Sequence, residues 1–135
     1  MKINPYLNFN RQCAAAFKFY QQVLGGEIVM LMKQGDSPMA EHVPKESHDL
    51  IMHARLVIGE NVLMGSDAPP ERFERTQGIA VTINVDSIAE ADRIYRGLSE
   101  GGSITLELQQ TFWAVRFAMF TDRFGTPWMI NCEQD

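Results

Sequence analysis

The sequence predicts an α+β fold of two βαβββ modules whose mixed sheets curve around a cavity. Three observations predict it. Two short segments alternate in strand fashion, Leu7 and Phe9 in one and Ile79, Val81, Ile83 and Val85 in the other. Each is followed by a segment of helical period and then by three more strand-like segments. The two helical segments also match each other in apolar face and in stop signal.

Taken in order, "INPYLNF" places Leu7 and Phe9 on one face and Tyr6 and Asn8 on the other. "NRQCAAAFKFYQQVLGG" repeats Cys13, Phe17, Tyr20 and Leu24 at helical spacing, with Asn10 as the expected cap and Gly25-Gly26 as the stop. "EIVMLMK" reads as a strand. The stretch from Gln34 to His48 carries Pro38 and Pro44 and reads as a long loop, either mobile, closing over a pocket, or crossing to a second subunit. "LIMHARLVIGENVLMGSD" reads as two strands meeting at a tight turn near Gly59-Glu60-Asn61.

The second half repeats the plan. "GIAVTINV" alternates, leaving Ala80, Thr82 and Asn84 on the second face. In "DSIAEADRIYRGLSEGG" Ser87 and Glu90 have the spacing of a capping box, and Ala91, Tyr95 and Leu98 form the expected buried stripe. "SITLELQQ" is a strand, and "FWAVRFAMFTDRFGTPWMINCE" a strand pair around Gly125. Ala16, Tyr20 and Val23 map onto Ala91, Tyr95 and Leu98, Gly25-Gly26 onto Gly101-Gly102, and Gly59 onto Gly125, which points to an internal duplication. The chain is therefore read as a single domain, residues 1–135, with module one over about 1–66, a proline-rich linker over about 67–77, and module two over about 78–135. One helix covers one side of a four-stranded sheet, so the bare sides must meet a partner or line a pocket, within one chain or across a homodimer.

Composition narrows the function. With 45% hydrophobic and 21% charged residues, the 135-residue chain can bury a core. A net charge of −5 and the lack of a basic run argue against nucleic acid as a partner. No run of about 18 apolar residues is present to span a membrane. The N-terminus reaches Asn4 and Pro5 before any apolar stretch, so no signal peptide is read there. Cys13 and Cys132 form no C-x-x-C pair and read as buried reduced thiols, although sequence leaves a disulfide between them open; the expected location is cytoplasmic.

"PYLNF", "FYQQVLGGEI", "MHARLVIGENVLMGSD", "TFWAVRF" and "DRFGTPWMIN" together resemble the PhnB-like branch of the vicinal oxygen chelate superfamily, whose members include glyoxalase I, extradiol dioxygenases and bleomycin-binding proteins. The resemblance spans nearly the whole chain and implies a glyoxalase/bleomycin-resistance-like fold. The branch often carries a demethylubiquinone methyltransferase name. A methyltransferase using S-adenosylmethionine would need a nucleotide-binding α/β domain with a Gly-rich first turn, and no G-x-G-x-x-G is present.

Metal-dependent members of the superfamily place ligands at four corners of the pocket. Alignment to this pattern puts the corners at Asn4, Leu63, Ala80 and Met129, which lack the carboxylate oxygens or imidazole nitrogens a hard divalent ion needs. No cofactor is therefore expected. The alternative is a metal-dependent lyase, isomerase or transferase whose divalent metal is held by His53 and the loop residues His42 or His48. Against it stands the plain reading of all three histidines as exposed or structurally hydrogen-bonded.

The expected pocket residues are Tyr6, Asn8, His53, Asn84, Trp113, Arg116, Met129 and Asn131, with Thr82 beside them. The amides would bond a polar ligand without supplying a strong base, or else satisfy one another or water. The resemblance places Trp113 and Arg116 near the pocket wall, where Arg116 would take a carboxylate or phosphate; the plainer reading makes Trp113 core or dimer interface and pairs Arg116 with a surface acid. Glu107 reads as solvent-facing, and no nucleophile elbow, Walker loop or H-E-x-x-H occurs. The expected activity is binding of a small polar or amphipathic molecule by a homodimer.

Overall fold

The alternation at the N-terminus becomes strand β1 (Tyr6–Phe9), with Leu7 and Phe9 buried and Tyr6 and Asn8 exposed. The structure is a computed structural model that describes residues 1–135, and the chain divides into two units, Met1–Glu74 and Arg75–Asp135.

In the first unit, β1 is followed by helix α1 (Cys13–Leu24) and strands β2 (Glu27–Lys33), β3 (Ile51–Ile58) and β4 (Asn61–Asp67). The sheet order is β1-β4-β3-β2, parallel between β1 and β4 and antiparallel elsewhere. Helix α1 buries Cys13, Ala16, Phe17 and Tyr20. Phe17 meets Phe9 edge-on at 6.1 Å and Tyr20 at 5.8 Å, so the core is an aromatic cluster clamped between helix and sheet. Gly65 makes room for it: a Cβ there would fall 2.9 Å from the Phe17 ring and 2.8 Å from the Leu7 carbonyl.

The second unit repeats the topology with β5 (Val81–Asn84), α2 (Ile88–Ser99), β6 (Ser103–Gln109), β7 (Arg116–Thr121) and β8 (Pro127–Cys132), in the sheet order β5-β8-β7-β6. Strand β5 runs parallel to β8, and the other pairs are antiparallel. Trp128, Ile130 and Cys132 face the helix side together with Ala118 and Phe120. The buried stripe of α2 is Ala91, Ile94 and Leu98. Tyr95, expected in that stripe, is half-buried at its edge, its ring edge-on to Phe120 at 5.9 Å.

The two units share construction devices as well as order. The Ser87 hydroxyl accepts from the Glu90 amide, the expected cap of α2. Asn10 does not cap α1. Residue 11 takes the left-handed turn (Arg11, φ 66), Gln12 stands at the cap position without a side-chain bond, and the first helical amide, Cys13 N, donates instead to Asp67 Oδ1 at 3.0 Å. In α2 the first helical amide, Ile88 N, donates likewise to Asp135 Oδ1 at 2.8 Å. In both units an acid just at or beyond the end of the last strand thus reaches a helix N-terminus, where negative charge is favoured. Gly26 and Gly102 form a second matched pair. A Cβ at Gly26 would strike the Val57 carbonyl, and one at Gly102 the Thr121 carbonyl, so the chain leaves each helix pressed against the neighbouring strand.

Two segments differ from their expected description. Asp67, claimed both by the linker and by the strand pair "LIMHARLVIGENVLMGSD", falls to the strand and completes β4. Residues 34–48 are folded: three short 3-10 turns, 34–36, 40–42 and 45–47, are tied by Gly35 N to His48 O at 3.0 Å and by a buried Ser37.

Both cysteines are free and buried. Burial, with the Asp67 carboxylate beside it adding to the effect, pushes the Cys13 thiol up to about 12. Native protein is therefore expected to leave both thiols unreacted with a thiol-specific disulfide reagent at pH 8 over the time in which unfolded protein reacts fully. Fast labelling of Cys13 in the native state would contradict this packing.

Candidate functional site

Each sheet carries its helix on one side, so the chemistry of interest lies on the other. In the first unit Ala54 and Leu56 of β3 are fully buried on the helix side, which turns His53, Arg55 and Val57 to the uncovered side. Register then sets the neighbours: Tyr6 opposite Met64, Met64 opposite Arg55, Arg55 opposite Met30, and His53 opposite Met32, with Asn8 opposite Ser66. Above β4 the Tyr6 hydroxyl reaches His53 Nδ1 at 3.2 Å, and the two rings stack at 5.8 Å. Tyr6, Asn8 and His53, all expected at the site, are thus brought onto one face.

In the second unit Trp128 and Ile130 point to the helix, which turns Met129 and Asn131 to the uncovered side. Met129 lies opposite Thr82 on one flank and Met119 on the other; Asn131 lies opposite Asn84 and Phe117. The Asn131 amide donates to Asn84 Oδ1 at 3.2 Å, while Asn131 Oδ1 is buried without a partner. Trp113 sits in a turn closed by the Thr111 amide to the Ala114 carbonyl at 3.0 Å, and meets Phe117 edge-on at 5.0 Å and Phe112 at 4.8 Å. Met129, Asn84, Asn131 and Trp113 therefore form a second group, joined through Phe117.

Arg116 is not part of it. Its register partner is the buried Cys132, and it shares the helix-side face with Ala118 and Phe120. Its Nη1 donates to the Val115 carbonyl at 2.7 Å. Ala118, its neighbour on that face, belongs to the core. The arginine on an uncovered face is Arg55, which sequence reasoning passed over; it follows β-strand alternation from His53, the residue already singled out in "MHARL".

The expected corner at Leu63 also moves. Leu63 is buried opposite Leu56 on the helix side, and the residue of β4 that reaches the uncovered face is Met64. A resident hard divalent ion does not fit these residues, because Met64 and Met129 offer thioethers and Ala80 offers no side-chain donor. The histidines supply no substitute set. His42 is exposed, His48 Nε2 is bonded to the Ala40 carbonyl at 3.0 Å, and His53 is bonded to Tyr6. No three His, Cys, Asp or Glu side chains come together in a way that could hold a metal ion.

Comparison with known proteins agrees with this architecture. A family described as 3-demethylubiquinone-9 3-methyltransferase matches residues 1–131. Protein YjdN of Escherichia coli is 34% identical, the match covering 97% of this chain and 95% of YjdN. The crystal structure of protein PA1353 from Pseudomonas aeruginosa is 50% identical with a TM-score of 0.93, covering 100% of this chain and 99% of that one. At 13% identity, a glyoxylase/bleomycin resistance protein/dioxygenase domain from Frankia sp. EAN1pec shares the fold, with a TM-score of 0.69 over 100% of this chain and 93% of that one. No helix of the structure is long and apolar enough to cross a membrane. By the extent of these matches and the paired βαβββ topology, the chain belongs to the family described as 3-demethylubiquinone-9 3-methyltransferase.

Proposed function

We propose that this protein binds a small polar or amphipathic organic molecule on the uncovered faces of its sheets, without the divalent metal of its metal-dependent superfamily relatives. The observation that carries the reading is the composition of those faces. Polar groups (Tyr6, Asn8, His53, Thr82, Asn84, Asn131) are interleaved with soft apolar ones (Met30, Met64, Met119, Met129, Phe117). Such a mixture suits a ligand with both characters, because thioethers adapt to shape while amides and hydroxyls orient. The unpartnered Asn131 Oδ1 adds an acceptor with unused capacity, a cost that a donor brought by a ligand would relieve.

Transfer of a methyl group from S-adenosylmethionine finds no support in these residues. The first strand–helix junction is Asn10-Arg11-Gln12, with none of the glycines that let a nucleotide phosphate approach a backbone turn. The same reading carries a homodimer, in which a second copy would cover the exposed Phe112 and Ile104; a monomeric mass in light scattering would remove that part.

The test is metal analysis with a ligand screen. Tag-free protein is expected to contain no stoichiometric divalent metal, and to gain several degrees in Tm with some members of a library of small organic molecules, as binding to the native state requires. Stoichiometric metal, lost in His53→Ala, would instead support a metal-dependent enzyme and end the proposal.

A further inference from the structure

Arg55 stands near the middle of the uncovered face of the first sheet, between Met30 of β2 and Met64 of β4. It is half-buried, it makes no ion pair, and its guanidinium has no hydrogen-bond partner. The nearest acid by register, Glu27, lies opposite Val57 at the sheet edge and does not pair with it. The other half-buried arginine, Arg116, is bonded to a backbone carbonyl. A chain of net charge −5 that leaves a half-buried cation unpaired has placed its own counter-charges elsewhere.

The neighbours of Arg55 extend the same chemistry. His53, two residues along β3, shares its face, and Tyr6 holds the ring through Nδ1. When the tyrosine hydroxyl donates to Nδ1, the imidazole proton sits on Nε2, and the free edge of the ring is a donor. The guanidinium is donor-only as well. Two donor groups with no carboxylate paired to either match an oxyanion, and the flanking methionines lower the local polarity in which that pairing would form.

We propose that Arg55, with His53 oriented by Tyr6, is an oxyanion site, taking the carboxylate, phosphate or phosphonate group of a small organic ligand whose apolar part lies on Met30 and Met64. This rests on the binding reading above and names the ligand's chemical class. The planar guanidinium fork binds such groups with two parallel hydrogen bonds, which a lone ammonium does not do.

The experiment is a methionine-methyl NMR titration of the full chain with three probes sharing one ring: phenylphosphonate, benzoate and the neutral benzyl alcohol. Both anions are expected to shift the Met30 and Met64 methyls saturably. Arg55→Met should weaken them at least about tenfold, the scale of one charge-assisted pair. Arg72→Met, which removes an equal charge at an exposed site, should change their affinity less than about twofold, and benzyl alcohol should bind both variants as it binds the parent. The methyl spectrum of Arg55→Met itself reports whether the variant is folded. Anion affinity unchanged in Arg55→Met, or lost equally in Arg72→Met, overturns the proposal. Shifts with benzyl alcohol alone would remove the oxyanion site while leaving the binding face standing; no shift with any probe would remove both.

Discussion

Asp122→Ala is expected to destabilise the protein by about 3–5 kcal/mol. Asp122 lies just after β7 and is 3% exposed. Its Oδ1 accepts from Phe124 N at 2.8 Å and Thr126 N at 3.0 Å, and its Oδ2 accepts from the buried Trp128 Nε1 at 2.8 Å. One carboxylate therefore closes the hairpin and fixes the indole at the start of β8. Alanine removes the acceptor that three donors share, two of them buried, and opens a gap beside Trp128. With total stabilities of roughly 5–15 kcal/mol for domains of this kind, such a loss removes a large share of the folded population's margin. Asp122→Asn should cost about half as much, because one amide oxygen can keep the two backbone bonds while its nitrogen confronts the indole N–H. Urea unfolding followed by circular dichroism measures both. A loss under about 1 kcal/mol for the alanine variant would mean that the network contributes little and that the hairpin is held by its backbone bonds and Gly125 alone.

The fold was legible because both units write period 2 and period 3.6 into short, clean segments, and because each helix ends in a glycine pair whose second member the neighbouring strand requires. Misplacements have specific causes. The start of α1 was assigned to Asn10 as a local cap, yet its first amide is satisfied by Asp67, a partner 54 residues away that no local pattern announces. For the same reason Asp67 looked like the opening of a polar linker. Tyr95 was drawn into the stripe of α2 by analogy with Tyr20, but Ile94, one position earlier, takes the buried place.

The site was legible where strands alternate cleanly and illegible where both faces are apolar. Tyr6, Asn8, Asn84, Met129 and Asn131 fall on uncovered faces because Leu7, Phe9, Trp128 and Ile130 are plainly core. In "NVLMGSD" Val62, Leu63 and Met64 are all apolar, so the alignment put the corner at Leu63 although Met64 is the residue on the uncovered face. A slip of one residue reverses a strand's faces. In "RFAMF" aromatic rings stand on both faces, Phe117 on the uncovered one and Phe120 on the buried one, so pattern alone could not tell which side Arg116 occupies. The outcome is an exchange of one arginine for another. The guanidinium expected at Arg116 is tied to its own strand's backbone, and the unpaired one, Arg55, stands beside the histidine that alternation had already marked.

Asp67→Ala is expected to have a comparable effect in the first unit, about 3–4 kcal/mol, and for a reason that reaches from core to uncovered face. Asp67 is 5% exposed; Oδ1 accepts from Cys13 N at 3.0 Å and Oδ2 from Ile51 N at 2.8 Å. The end of β4 is thereby tied at once to the N-terminus of α1 and to the first residue of β3. Removing the carboxylate orphans two buried amides and withdraws a negative charge from a helix N-terminus. Because β3 carries His53 and Arg55, loosening its start should also broaden or shift the signals of those side chains, and anion binding at Arg55 should weaken in step. Asp67→Asn keeps one acceptor and should lose roughly half as much stability. Removal of the neighbouring charge also takes away the lesser of the two effects that raise the Cys13 thiol, so Cys13 should titrate lower in Asp67→Ala than in the parent, although burial keeps it above an ordinary thiol. Urea midpoints for the two variants, with alkaline titration of the thiol by ultraviolet absorbance, decide the matter. An Asp67→Ala protein with parental stability and an unchanged thiol would show that the carboxylate neither caps the helix nor faces Cys13 in solution.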